Sequence, residues 1–249
     1  MSTRKLGWVA IALVLLVTSL ATGCGASSNK IVVATDATWP PMEYVDENRE
    51  IVGYDIDLMK AIAEEAGLEV EFKNVAWDGI FAGLAAGEYD AVISSVTITD
   101  ERRENYDFSD PYINAGQIVV VRTESDITGP NDLAGHIVGA QISTTGAFAI
   151  QEMDGAELKE YDEVGLAFED LVAGRIDAVV CDTPVAADFA LQRDEYKAVL
   201  KIVGDPFTDE YYGILVQKGN DDLLAKINAG LDAVQEKGLD KQFEETWLR

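Results

Sequence analysis

Residues 173–183 read AGRIDAVVCDT. A helix-stopping glycine is followed by the run Ile176–Cys181, apolar except for Asp177, and the run ends on a bare carboxylate, Asp182. A short apolar run after such a stop reads as a strand buried on both faces, as in parallel sheets. An echo lies upstream. LAAGEYDAVISS (84–95) aligns with LVAGRIDAVVCD (171–182) at a constant offset of 87, pairing Gly87 with Gly174, Asp90 with Asp177 and Ser95 with Asp182. The two halves of the chain read as versions of one unit.

On either side of this stretch, strands and helices alternate. KIVVAT (30–35) reads as a buried strand. GYDIDLMKAIAEEAG (53–67) reads as a helix with Asp55 or Asp57 as its cap, Leu58, Ala61, Ile62 and Ala66 on one face and Gly67 as its stop. Strand EVEFKN (69–74), helix WDGIFAGLAAG (77–87) and strand YDAVISS (89–95) follow. The second half repeats the theme with strand HIVGAQ (136–141), helix TTGAFAIQEMDG (144–155), strand ELKEYD (157–162), helix VGLAFEDLVAG (164–174) and strand RIDAVVCD (175–182). DDLLAKINAGLDAVQEKG (221–238) reads as an amphipathic helix and LDKQFEETWL (239–248) as a short last one. This alternation predicts an α/β fold with mainly parallel sheets flanked by helices.

Ligands of open α/β sheets bind at the carboxyl ends of the strands. The echo places Ser94 and Ser95 in one half, and Cys181 and Asp182 in the other, at equivalent strand ends. Asp182 can accept charge-assisted hydrogen bonds from a ligand cation. In the first half Ser94, Ser95 and Thr97 line the edge, and Arg102 follows with a planar fork suited to a carboxylate. A carboxylate receptor facing an ammonium receptor describes an α-amino acid.

Composition narrows the classes. With 19 Lys+Arg against 45 Asp+Glu, the net charge of −26 excludes nucleic acid as a partner, because phosphate binding needs a basic footprint. Arg4 and Lys5 precede the apolar run Leu6–Leu20, a signal segment leading into LATGC (20–24). That pattern resembles a bacterial lipobox with Cys24 as the acylated residue, followed by a tether at 25–29. Only two cysteines are present; with Cys24 acylated, Cys181 has no disulfide partner and reads as a small buried hydrophobe. His136 is the only histidine, which leaves neither a His-based triad nor a His-rich metal site. No GxxxxGK[ST] occurs, so ATP hydrolysis would belong to a partner.

TDATWPPMEY (35–44), GYDIDLMKAIA (53–63), the long stretch 77–112, STTG (143–146) and GRIDAVVCDTP (174–184) resemble the polar amino-acid receptors of ABC importers, solute-binding protein family 3. The resemblance implies a two-lobed periplasmic-binding-protein fold of type II with two hinge crossings. Lobe 1 would comprise 30–118 and 207–249, and lobe 2 would comprise 119–206. It implies ligand contacts at Asp36, Trp39, Trp77, Ser94, Ser95, Thr97, Arg102, Gln141, Thr145 and Asp182. Trp39 and Trp77 would sandwich the ligand side chain, Arg102 and the Thr145 backbone would hold the carboxylate, and Asp182 would take the ammonium. The family usually has glycine where Ser143 stands, so the course of the 141–146 loop is open; Arg103 is an alternative to Arg102. Glu43 and Tyr44 read as structural.

The expected protein is therefore an exported lipoprotein, anchored to the membrane through Cys24. It is expected to be monomeric and to need no cofactor or metal, and it would deliver a polar or cationic L-amino acid, arginine or glutamine first, to an ABC permease and its ATPase. Two other classes stand beside it: an enzyme resembling cyclohexadienyl dehydratase on the same fold, and a ligand-sensing receptor component.

Overall fold

The computed structural model describes residues 29–248. Cys24, its lipobox and most of the tether lie outside the described residues. Two five-stranded sheets carry the fold, joined by two chain crossings. The first sheet has the spatial order 69–74, 30–35, 91–92, 215–217, 106–108, and the second the order 157–161, 137–141, 178–182, 117–122, 200–203. In each sheet the first three strands are parallel and the fourth runs antiparallel to both neighbours. The sheets are thus mixed, with one reversed strand apiece. That strand, 117–122 or 215–217, is the first one laid into its sheet after a crossing. The crossing segments pair with each other at Tyr211–Asn114 and Tyr212–Ile113, making a two-stranded antiparallel ribbon between the sheets.

Central strands are covered on both sides, which accounts for their unbroken apolar runs. Along 117–122, Ile118 and Val120 enter one core cluster while Val119 and Val121 enter another. Along 178–182, Val179 and Cys181 face the first cluster and Ala178 and Val180 the second. Cys181 is buried and free. The far face of the first sheet has its own cluster around Trp77, Ile80, Leu84, Val92 and Leu215.

The echo in the sequence has one structural job performed twice. Gly87 and Gly174 both adopt left-handed φ, 74° and 70°, letting the chain turn sharply from helix toward strand. Three residues on, the Asp90 carboxylate accepts the Val32 N–H at 2.7 Å, and the Asp177 carboxylate accepts the Ile137 N–H at 2.9 Å. The backbone N–H of each aspartate donates in return to the same residue, Val32 or Ile137. Each G-x-x-D turn therefore pins the start of a strand to its parallel neighbour.

The helix Tyr54–Glu65 corrects one expectation. Neither Asp55 nor Asp57 caps it; the N-cap is Gly53, with no side-chain cap. Its first N–H groups are met by backbone instead, Tyr54 donating to the Pro41 carbonyl and Asp55 to the Met42 carbonyl. The approach is so close that a Cβ at Gly53, whose φ is 131°, would lie 2.2 Å from the Met42 oxygen. Asp55 is thereby released for another role. The helix Asp221–Glu236 buries Leu223, Ile227, Leu231 and Val234, packs on the 54–65 helix, and is followed by the helix Leu239–Trp247.

Candidate functional site

The carboxyl ends of both sheets face a common cleft, the edge at which open α/β sheets bind ligands. All ten residues expected at the site line it, Asp36, Trp39, Trp77, Ser94, Ser95, Thr97, Arg102, Gln141, Thr145 and Asp182, joined by Glu43 and Thr144. Asp182, the last residue of its strand, is 5% exposed and accepts a 2.7 Å hydrogen bond from the Gln117 amide across the reversed strand. Burial pushes its carboxyl up to about 8, and the charge of Glu210 adds to the shift.

At the opposite wall Arg102 enters from the short helix Asp100–Asn105, whose N-cap Thr99 accepts the Arg102 N–H at 3.1 Å. Its guanidinium donates to the Thr97 carbonyl at 2.8 Å and the Ser143 carbonyl at 3.3 Å. It lies 5.7 Å from the Trp77 ring centroid and 5.2 Å from that of Phe81, a cation–π platform. Trp77 thus backs Arg102 as well as lining the cleft. Burial brings this guanidinium down to about 10, still charged at neutral pH. Arg103 is exposed and does not line the cleft.

The 141–146 loop keeps a course that glycine would favour: Ser143 sits at φ 57°, in the left-handed region. Beyond it Thr144 caps the helix Thr145–Gln151 by accepting the Ala147 N–H, and the Thr145 hydroxyl lies 3.3 Å from that of Thr97 across the cleft. The Gln141 amide nitrogen is already engaged, donating to Asp36 at 3.1 Å and to the Asp162 carbonyl at 2.9 Å. It orients Asp36, which also accepts from Thr38 at 2.9 Å. Burial raises the Asp36 carboxyl, these two hydrogen bonds oppose the rise, and the charges of Glu163 and Asp78 add to it.

Three positions in or around the cleft escaped the sequence reading. Glu43, read as structural, is 0% exposed, lines the cleft and accepts from Ser94 at 3.0 Å and Ser95 at 3.2 Å. Burial and the neighbouring Asp55 push its carboxyl well up. Glu210, on the returning crossing segment, accepts from Thr97 at 3.1 Å and Thr145 at 2.6 Å, so one carboxylate ties both walls. Phe81 supports Arg102. The one available signal was that Glu43 is a lone acid among apolar neighbours in PPMEYV (40–45).

Known proteins resemble this chain over most of its length. Residues 31–249 match the model of the bacterial extracellular solute-binding proteins, family 3. The chain is 35% identical to the ABC transporter arginine-binding protein 1 of Escherichia coli K12, over 96% of this chain and 98% of that one. It is 34% identical to a probable histidine-binding protein of Neisseria gonorrhoeae, over 83% of this chain and 78% of the relative. The structure of an ancestral arginine-binding protein bound to arginine superposes with a TM-score of 0.84 at 43% identity, covering 89% of this chain and 99% of that one.

Proposed function

The chain belongs to the bacterial extracellular solute-binding proteins, family 3, and from that premise we propose that it captures an L-amino acid with a cationic side chain, arginine first, for delivery to an ABC importer. The observation that carries this reading is the charge balance of the cleft. Asp36, Glu43 and Asp182 are all at least nine-tenths buried, and the only basic side chain in the wall is Arg102. An α-ammonium on Asp182 and an α-carboxylate on Arg102 and Thr145 use one acid and the one base. Asp36 and Glu43 then remain for a side-chain cation, because buried charge is tolerated only when paired. Trp39 and Trp77 supply flat faces on which a guanidinium stacks. Glutamine would satisfy the α-groups but bring no positive charge to either distal acid.

In this reading the protein binds without chemistry. Lobe 1 (30–118 and 207–249) and lobe 2 (119–206) close on the ligand about the paired crossings, and hydrogen bonds such as Gln141 to Asp36 and Arg102 to the Ser143 carbonyl hold the walls together. The closed form is what a permease with a cytoplasmic ATPase would engage, and a lipid on Cys24 would keep a monomeric receptor at the outer face of the membrane.

The test is a thermal-shift series on the mature protein, unfolded and refolded to strip carried-over ligand, against arginine, lysine, histidine, glutamine and prephenate. A ligand at one hundred times its Kd stabilises by about 2.7 kcal/mol. Arginine should raise the melting temperature most. A larger rise with glutamine would overturn the cationic assignment, and turnover of prephenate would replace binding by catalysis.

A further inference from the structure

Beneath the side-chain end of the cleft, two fully buried carboxyls share too few donors. The Ser95 hydroxyl lies 3.2 Å from Glu43 Oε2 and 3.4 Å from Asp55 Oδ2, but it has one proton to give. Asp55 Oδ2 already accepts the Ser95 N–H at 2.7 Å and the Tyr112 hydroxyl at 2.9 Å, while its buried Oδ1 has no partner among the described residues. Both residues are 0% exposed and stand within hydrogen-bond reach of each other. The titratable groups facing the pair are a third carboxylate, Asp36, and three phenols, Tyr54, Tyr112 and Tyr212, none of which brings a positive charge. Two adjacent ionised carboxylates in such a place are strongly disfavoured. A proton held between them cancels one charge and supplies the missing donor.

We propose that Asp55 sets the ligand preference of the cleft through Glu43: the pair holds one shared proton when no ligand is bound, and a cationic side chain arriving at Glu43 displaces that proton to solvent, whereas a neutral amide leaves it in place. Asp55 does not line the cleft; it is a positioning residue acting on Glu43. The exchange balances: a carboxyl O–H bond is broken, its proton leaves to water, and the guanidinium charge takes its place. Burial favours the protonated form of both groups, raising Asp55 to about 6 and Glu43 well upward. Preference for arginine over glutamine therefore grows as the pH rises through this range. The inference rests on the cationic reading of the site.

Asp182 is a second proton source, because an α-ammonium also meets a buried acid there. It serves every amino acid alike, so the difference between ligands isolates the Glu43–Asp55 pair. The experiment is titration calorimetry of ligand-free protein with L-arginine and L-glutamine near pH 6.5, in two buffers of different ionisation enthalpy, which counts protons released. Arginine should release about one proton more than glutamine, and its Kd relative to that of glutamine should tighten by up to about tenfold per pH unit. Asp55→Asn, whose amide oxygen can still accept from Ser95 and Tyr112, removes the neighbouring charge that helps hold the proton on Glu43, so arginine should release measurably less than the extra proton from it. Where one comparator fails to bind or to fold, the other decides. Equal counts for the two ligands, or an unchanged count in Asp55→Asn, would overturn the inference while leaving the cationic assignment standing. Failure of arginine to bind at all would remove both.

Discussion

The first and second sheets start their third strands in the same way and finish them differently. In both, a left-handed glycine and an aspartate three residues later fasten the strand to its parallel neighbour, Asp90 to Val32 and Asp177 to Ile137. Five residues past the aspartate the halves diverge. The first presents Ser95, whose N–H donates to the buried Asp55, and the second presents Asp182, which accepts from Gln117. Backbone geometry is common to the two halves, whereas the chemistry that reaches the cleft is particular to each. Hydroxyls held by carboxylates stand on one side, and a buried carboxyl on the other.

The largest test of that contrast is to remove the divergent residues. Asp182→Ala should weaken amino-acid binding by about 2–5 kcal/mol in calorimetry, the range for truncating one partner of a buried charge pair. Ser95→Ala, which removes a hydroxyl, should cost about 1 kcal/mol. Equal losses would break the distinction between the two strand ends.

The pH dependence of stability comes next. Asp182 titrates near 4 in an unfolded chain but is held up to about 8 when folded without ligand. The folded state therefore keeps a proton that the unfolded state has lost, and stability declines as the pH rises from about 4 to about 8. Urea unfolding at both ends of that window should show the decline, and Asp182→Asn should flatten part of it. A wild-type slope in the variant would mean that the carboxyl is ionised throughout.

Smaller effects probe what the halves share. Asp90→Ala and Asp177→Ala should each destabilise by about 1 kcal/mol, the net worth of a hydrogen bond, and the double variant should show the sum because the sites share no partner. Markedly unequal costs would show that the two turns are alike only in sequence. Smallest is Ser143→Gly, which relieves a left-handed serine and should stabilise by about 0.5–1 kcal/mol after the added freedom of the unfolded chain is subtracted.

Much of the architecture was legible because it depends on local pattern. The strand at 178–182 follows from an apolar run after Gly174, and the helix at 221–236 from Leu223, Ile227, Leu231 and Val234 at helical spacing. Residues adjacent to recognised strand ends, such as Thr97, Arg102 and Asp182, were legible as cleft residues for the same reason. What escaped depends on contacts between segments far apart in the chain. Glu43 matters because Ser94 and Ser95, about fifty residues on, meet it. Glu210 matters because two threonines from opposite walls converge on it. Asp55 looked like a helix cap because spacing alone does not reveal that the Pro41 and Met42 carbonyls already satisfy that helix start. The reversed strands likewise follow from the double crossing rather than from their own residues.

The proposed pairing of Asp182 with an α-ammonium, and of the two distal acids with a side-chain cation, can be measured in solution. Calorimetric titration of refolded, ligand-free protein with L-arginine tests it most directly, run beside Asp182→Ala. Wild-type protein should bind saturably, one to one, and the variant should lose at least about thirtyfold in affinity, about 2 kcal/mol. Wild-type affinity in Asp182→Ala, or no heat of binding with arginine where glutamine binds, would contradict it.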